Sequence, residues 1–187
     1  MQHMGMLKRV LQYLAGTRNY AINYCKSYTP TAPLIGYMDA AHANTDQCKS
    51  STGTVFLSAG GAISWRSKKQ TLSALSTTEA EYIAFSIAGT DACWLTNLYE
   101  ELGFPLKAPL LMRSDSLDAI ANSTNPYMSK QTRHIELKWH SVQQLIDRKI
   151  IVPIPCQDAD QTANILTKPL PCPKHKKHTD EMGLAPV

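Results

Sequence analysis

The stretch Leu34-Ile35-Gly36-Tyr37-Met38-Asp39, followed by Thr54–Ser58, Ala62–Trp65 and Ser76-Thr77-Thr78-Glu79-Ala80-Glu81, decides how this chain folds. The first run has strand length and delivers an acid at its end. The next two are strand-like and meet through Gly60-Gly61, the pattern of a β-hairpin. Ser76 and Glu79 have capping-box spacing, which predicts a long helix opening there and running to about Leu102. Gly103 and Pro105 stop it.

Working outward, Leu110–Ser114 is a further strand and again hands over an acid, Asp115. Asp118–Asn122 predicts a short helix. Ile135, Trp139, Val142, Leu145 and Ile146 recur at helical spacing and predict a helix within 135–149. Ile150–Ile154 is a strand whose Pro153 places it near a sheet edge. Ala159–Thr167 predicts a last helix, and the Pro- and Lys-rich stretch after Lys168 predicts a loosely ordered tail. On the N-terminal side, Met6, Leu7, Val10, Leu11 and Leu14 predict an amphipathic helix over 3–15. An extended piece near Ala21–Tyr24 and a connector at Tyr28–Pro33 follow. Adjacent hairpin strands followed by alternating strands and helices predict an α/β fold, a mixed sheet flanked by helices. The expected organisation is a leading segment 1–30, one domain over 31–170 and a basic tail over 171–187.

The 187 residues carry 19 Lys plus Arg against 15 Asp plus Glu, a net charge of +4, which is too small for a histone-like binder. No apolar run approaches the ~20 residues of a membrane helix, and the N-terminus lacks signal-peptide patterning. No membrane partner is expected. The five cysteines are odd in number and form no C-x-x-C pair, so free thiols in a reducing compartment are expected rather than disulfides, zinc or redox chemistry. Nothing in the sequence specifies an oligomeric state.

Acids at strand ends are the candidates for chemistry. A rigid sheet can hold them within ~4 Å of one another, where a divalent cation offsets their repulsion. Asp39 and Asp115 are two such acids, and the long helix offers Glu79 or Glu81 as a third. At 100° per residue, Glu81 lies roughly 80° from the centre of the apolar stripe and Glu79 roughly 120°. Glu79 also competes as the capping partner of Ser76. Asp91 falls within the stripe, a misfit to the pattern. Each acid has an ordinary structural alternative as a turn, solvated or capping residue.

The residues around these acids resemble the RNase H domain of copia-type LTR retrotransposon Pol polyproteins. The likeness is carried by Gly36–Ala40, Lys49–Leu57, Gly61–Gln70, Ala74–Ala84, Thr132-Arg133-His134-Ile135-Glu136 and Asn164-Ile165-Leu166-Thr167-Lys168-Pro169-Leu170, in that order. It implies a C-terminal fragment of such a polyprotein, with the leading helix ending the connection after the reverse transcriptase. It further implies an RNase H-like fold with a five-stranded mixed sheet, and Mg²⁺-dependent (or Mn²⁺-dependent) two-ion hydrolysis of the RNA strand of an RNA–DNA hybrid. By motif position Asp39, Glu81 and Asp115 match the catalytic acids that hold metal. The resemblance implies that Asp39 would be shared between the ions, with Glu81 and Asp115 on the leaving-group side. The implied partners are the hybrid and the reverse transcriptase portion of the same polyprotein. The implied setting is an intracellular particle in the cytoplasm, or the nucleus.

Where such domains carry a fourth aspartate, this chain has Asn164, an uncharged ligand; Asp158 and Asp160 stand close in sequence. Ala41-His42 replaces an acid–tryptophan pair and Ser116 an asparagine. These departures sustain an alternative reading, a non-catalytic hybrid-binding or structural remnant. An integrase-type transferase is a weaker third. Ser64, Ser67, Arg66, Lys68, Lys69, Ser73 and Ser76 are candidate substrate contacts, against the alternative of a solvated hairpin end. Trp65 reads as core packing, with base stacking as its alternative, and His134 and His140 as surface histidines with a lesser prospect of proton transfer. The run Lys174–His178 reads as a solvated tail, with nucleic-acid binding as its alternative.

Overall fold

A computed structural model describes residues 2–25, 33–45, 48–124 and 136–187. The elements are α1 (Gln2–Gly16), β1 (Tyr20–Ile22), β2 (Ile35–Ala41), β3 (Ser51–Ser58), β4 (Gly61–Lys69), α2 (Thr77–Glu101), β5 (Leu110–Ser114), α3 (Leu117–Thr124), α4 (Glu136–Asp147), β6 (Ile151–Pro155), α5 (Cys172–Glu181) and β7 (Leu184–Pro186). Two 3₁₀ turns, Asp158–Asp160 and Thr162–Leu166, precede α5. The expected connector, apart from Pro33, and the segment carrying His134 lie outside the described residues.

Five strands form one mixed sheet in the order β4-β3-β2-β5-β6. The hairpin is antiparallel, as the sequence predicts, but its two turn residues are Ala59 and Gly60, with φ of 50° and 81°. These left-handed values match the twist that two-residue hairpin turns need. β5 and β6 run parallel to β2, and β6 with its Pro153 is the edge strand. The α2 start follows its capping box: Ser76 Oγ accepts from the Glu79 N–H at 3.1 Å, and Glu79 Oε2 accepts from the Leu75 N–H at 2.8 Å. Gln70 ties this end of α2 to the sheet, its Nε2 donating to Thr52 Oγ1 and to the Ala80 carbonyl, each at 2.9 Å.

The sheet separates two cores. Met38, Phe56, Leu110 and Met112 pack under α2 and α4 against Ile83, Phe85 and Val142. On the other face Tyr37, Val55 and Ala62 pack against Ala163, Met182 and Leu184. Asp91, the misfit in the α2 stripe, is explained here, because its carboxylate receives Arg66 Nε at 3.1 Å and Nη2 at 2.7 Å in a forked pair.

Two expectations fail. The chain after Lys168 is not loose: α5 packs on the second core, His178 is fully buried, and β7 pairs antiparallel with β1. The lysines that suggested a solvated tail face acids of the preceding turns, Lys174 to Asp158 at 2.5 Å and Lys177 to Asp160 at 2.6 Å. The predicted helix over 159–167 is instead the pair of 3₁₀ turns. Gln161 interrupts it with ψ of 90°, its side chain drawn into the core to donate to the Met38 carbonyl at 2.9 Å. α1 forms as predicted, yet Leu7, Val10, Leu11 and Leu14 are each more than half exposed.

The second turn is registered on one row of the sheet. Asp39 pairs with Gly53 and Gly53 with Ser67. The Thr167 hydroxyl donates to Asp39 Oδ2, and Ser67 Oγ donates to the Leu166 carbonyl at 2.6 Å. At Gly53 a Cβ would stand 2.9 Å from the Ala163 carbonyl oxygen and 2.7 Å from Thr167 Cγ2. Gly53→Ala is therefore expected to destabilise the fold by about 1–3 kcal/mol through overpacking. Urea denaturation checks this, and unchanged stability would show that the turn is not seated on the sheet.

Candidate active site

Strand alternation and register place the two aspartates together. In β2, Met38 and Ala40 face α2, so Tyr37 and Asp39 face the second core. In the parallel ladder Tyr37 pairs with Arg113. Asp39 lies two residues beyond that last ladder pair on β2, and Asp115 directly follows the end of β5. Glu81, on the second turn of α2, completes the group. One carboxylate oxygen from each of Asp39, Glu81 and Asp115 lies within 4.8 Å of the others. Asp39 and Glu81 are buried and Asp115 is half-buried.

Burial, and then the neighbouring Asp39 and Asp115 carboxylates, push the Glu81 carboxyl up to about 8. Burial also raises Asp39, opposed by the Thr167 hydroxyl and by the charge of Lys168. Glu81 Oε2 is buried and has no hydrogen-bond partner. Three acids this close, with an unpartnered buried oxygen among them, fit a hard divalent cation with oxygen ligands. The same reasoning separates the two helix glutamates: Glu79 is engaged in the cap, as its spacing predicts, and Glu81 faces the aspartates.

Asn164 is fully buried in the Thr162–Leu166 turn and reaches the group indirectly. Its main-chain carbonyl accepts from Thr167 Oγ1 at 3.2 Å, the same hydroxyl that donates to Asp39. Asp160 does not share a helix face with Asn164 as expected, because no helix forms there and Lys177 engages its carboxylate. Thr167 is the residue that sequence reasoning missed. Its signal was its place three residues after Asn164, directly after two apolar positions.

The candidate substrate contacts divide. Arg66 is spent on Asp91. Ser67 is held by the turn, and Ser76 caps α2. Ser64 is half-buried on β4, and Ser73 is exposed beyond the strand. Lys68 and Lys69 are exposed at the end of β4, level with Ala40 and Ala41 across the sheet. Trp65 is not core: it is 55% exposed on edge strand β4. It borders a groove of about 320 Å³ with Tyr13, Ile22, Leu166, Met182 and Leu184. Ser116 accepts from the Ala119 N–H at 3.2 Å and caps α3, and His140 is exposed. All five cysteines are unpaired, and burial pushes the Cys156 thiol up to about 12, away from nucleophilic use. Among the described residues no helix is long and apolar enough to cross a membrane.

This sheet order and flanking-helix arrangement is the RNase H-like fold. Among solved structures, LC11-RNase H1, isolated from compost by a metagenomic approach, matches with a TM-score of 0.56 and 18% identity over 73% of this chain and 94% of that one. The crystal structure of LC11-RNase H1 in complex with an RNA/DNA hybrid matches with a TM-score of 0.54 and 16% identity, covering 72% of this chain and 93% of that one. In sequence, the homologues that span the whole chain are retrovirus-related Pol polyproteins of copia-type transposons. The chain is 36% identical over 185 residues, 98% of its length, to the Pol polyprotein from transposon TNT 1-94 of Nicotiana tabacum. The chain spans only 14% of that polyprotein's length. No protein-family model matches it.

The carboxyl cluster fixes a pH dependence. Folding raises Glu81 from 4.5 to about 8, so its protonated form is favoured by the folded state. That stabilisation is complete below the unfolded value and is lost as pH climbs through the folded one. In metal-free buffer the melting temperature is expected to fall between pH 5 and pH 8.5, and Glu81→Gln to flatten the decline. A profile identical in wild type and variant would contradict the arrangement.

Proposed function

We propose that this chain is a ribonuclease H-type hydrolase segment that cleaves the RNA strand of RNA–DNA hybrids, using Mg²⁺ or Mn²⁺ held by Asp39, Glu81, Asp115 and Asn164. The single observation that carries the reading is the convergence of three acids from β2, α2 and the end of β5 on one point. Bound divalent ions would supply a water nucleophile at neutral pH and charge for the phosphoryl transition state. The chain's own residues do the positioning. Asp39 is held by Thr167 on a row of the sheet that cannot shift without displacing the turn. Glu81 keeps an oxygen free of protein partners. Asn164 contributes an uncharged amide oxygen.

Lys68 and Lys69 lie in the two rows beyond that of Asp39, pointing to opposite faces of β4, and suit phosphate contacts, which give affinity without sequence preference. Hybrid selectivity would come from 2′-hydroxyls and minor-groove shape. With a net charge of only +4, attachment to the reverse transcriptase portion of a polyprotein would raise the local concentration of hybrid. The setting that goes with this is a retrotransposon particle in the cytoplasm or nucleus.

Asn164 favours a second reading, a hybrid-binding module without catalysis. The two separate by experiment. With a labelled RNA–DNA hybrid and Mg²⁺ or Mn²⁺, the wild type is expected to cut the RNA strand, and Asp39→Asn to lower the rate at least about 100-fold. Hybrid binding with no cleavage in either metal would establish the non-catalytic reading instead.

A further inference from the structure

The two ends of the buried Asn164 amide are treated differently. Nδ2 donates to the Asp158 main-chain carbonyl at 3.1 Å and to Asp158 Oδ1 at 2.9 Å. Oδ1 is buried and has no hydrogen-bond partner. An amide side chain fits its cavity almost equally well in either of two orientations, and its neighbours choose between them. An ionised carboxylate accepts hydrogen bonds and donates none, so Asp158 admits only the orientation with NH₂ toward itself and the carbonyl turned away.

Asp158 is itself flanked by two lysines. Lys174 of α5 contacts its Oδ2 at 2.5 Å, and Lys168 stands 3.6 Å from its Oδ1. The Asn164 main chain, through its carbonyl and the Thr167 hydroxyl, connects to Asp39. A buried carbonyl oxygen left without a donor is costly, and a cation removes that cost.

We propose that Asp158, braced by Lys174, is a positioning residue for the candidate metal centre: it locks the Asn164 amide so that Oδ1 rather than Nδ2 is presented as a neutral ligand. The acid that sequence reasoning offered as a replacement ligand thus acts through the asparagine. α5, at the far end of the chain, supplies the charge that holds it. The inference rests on the metal reading above, and its test separates the two.

Mn²⁺ binding to the 187-residue chain is measured by isothermal titration calorimetry without nucleic acid, with Asp39→Asn as the control for the metal reading. Asp158→Ala is expected to weaken Mn²⁺ about tenfold, and Asp158→Asn, whose amide oxygen still accepts from Asn164, to recover most of the loss. In an Asn164→Ala background, Asp158→Ala is expected to add nothing, because its effect passes through that side chain. If the wild type binds no Mn²⁺, the metal reading itself falls. If the wild type binds and Asp39→Asn does not, but Asp158→Ala matches the wild type or is equally harmful without Asn164, the positioning role alone falls. Should Asp158→Ala not fold, Lys174→Ala carries the test with an expected loss of about threefold, and unchanged affinity there overturns the proposal.

Discussion

Two aspartates delivered by adjacent parallel strands, Asp39 within β2 and Asp115 just past the end of β5, are the constraint on which the rest of this molecule depends. Parallel pairing of β2 with β5 brings the ends that carry Asp39 and Asp115 side by side, and α2 adds Glu81, so that three carboxyl oxygens lie within 4.8 Å of one another. At that separation two full charges repel by roughly 3–4 kcal/mol at an effective dielectric of 20. Protons or a cation must relieve this, and the raised Glu81 carboxyl is the proton solution. The fold tolerates the cluster because both strands are locked elsewhere, by the α2 core on one face and the Thr162–Leu166 turn on the other.

That turn links the ends of the chain to the site. It rests on Gly53, accepts from Ser67 and sends Thr167 to Asp39, while Gln161 anchors it to β2. α5 braces it from outside through Lys174, Lys177 and the contact of Glu181 with both Thr162 and His178. Exposed ion pairs of this kind contribute little stability singly. Several acting on one short turn hold its geometry, which is what a turn presenting Asn164 requires. Two of the basic residues of the C-terminal segment, Lys174 and Lys177, are therefore structural in this fold, their charges directed at Asp158 and Asp160.

The sheet was legible in the sequence because its signals are local: apolar runs ending in Asp39 and Asp115, a glycine-marked hairpin, and the Ser76–Glu79 cap. The choice of Glu81 over Glu79 came with the family resemblance and agreed with the helix period; in the structure Glu79 is engaged in the cap and Glu81 stands beside the aspartates. The 158–168 segment was not legible, because its conformation is set by long-range partners. Gln161 reaches Met38, and Thr167 reaches Asp39, across more than a hundred residues of chain. Lysine-rich composition concealed the order of α5 for the same reason, since its acid partners precede it in the turns. Trp65 misled because an aromatic in a strand reads as core until the strand proves to be the sheet's edge.

The measurement that tests the account most directly is anomalous diffraction from crystals of the chain soaked in Mn²⁺. The account predicts a peak bonded to carboxylate oxygens of Asp39, Glu81 and Asp115 at about 2.2 Å. A protein that crystallises with this fold but shows Mn²⁺ only at other surfaces, with these three side chains contacting no metal, would contradict it.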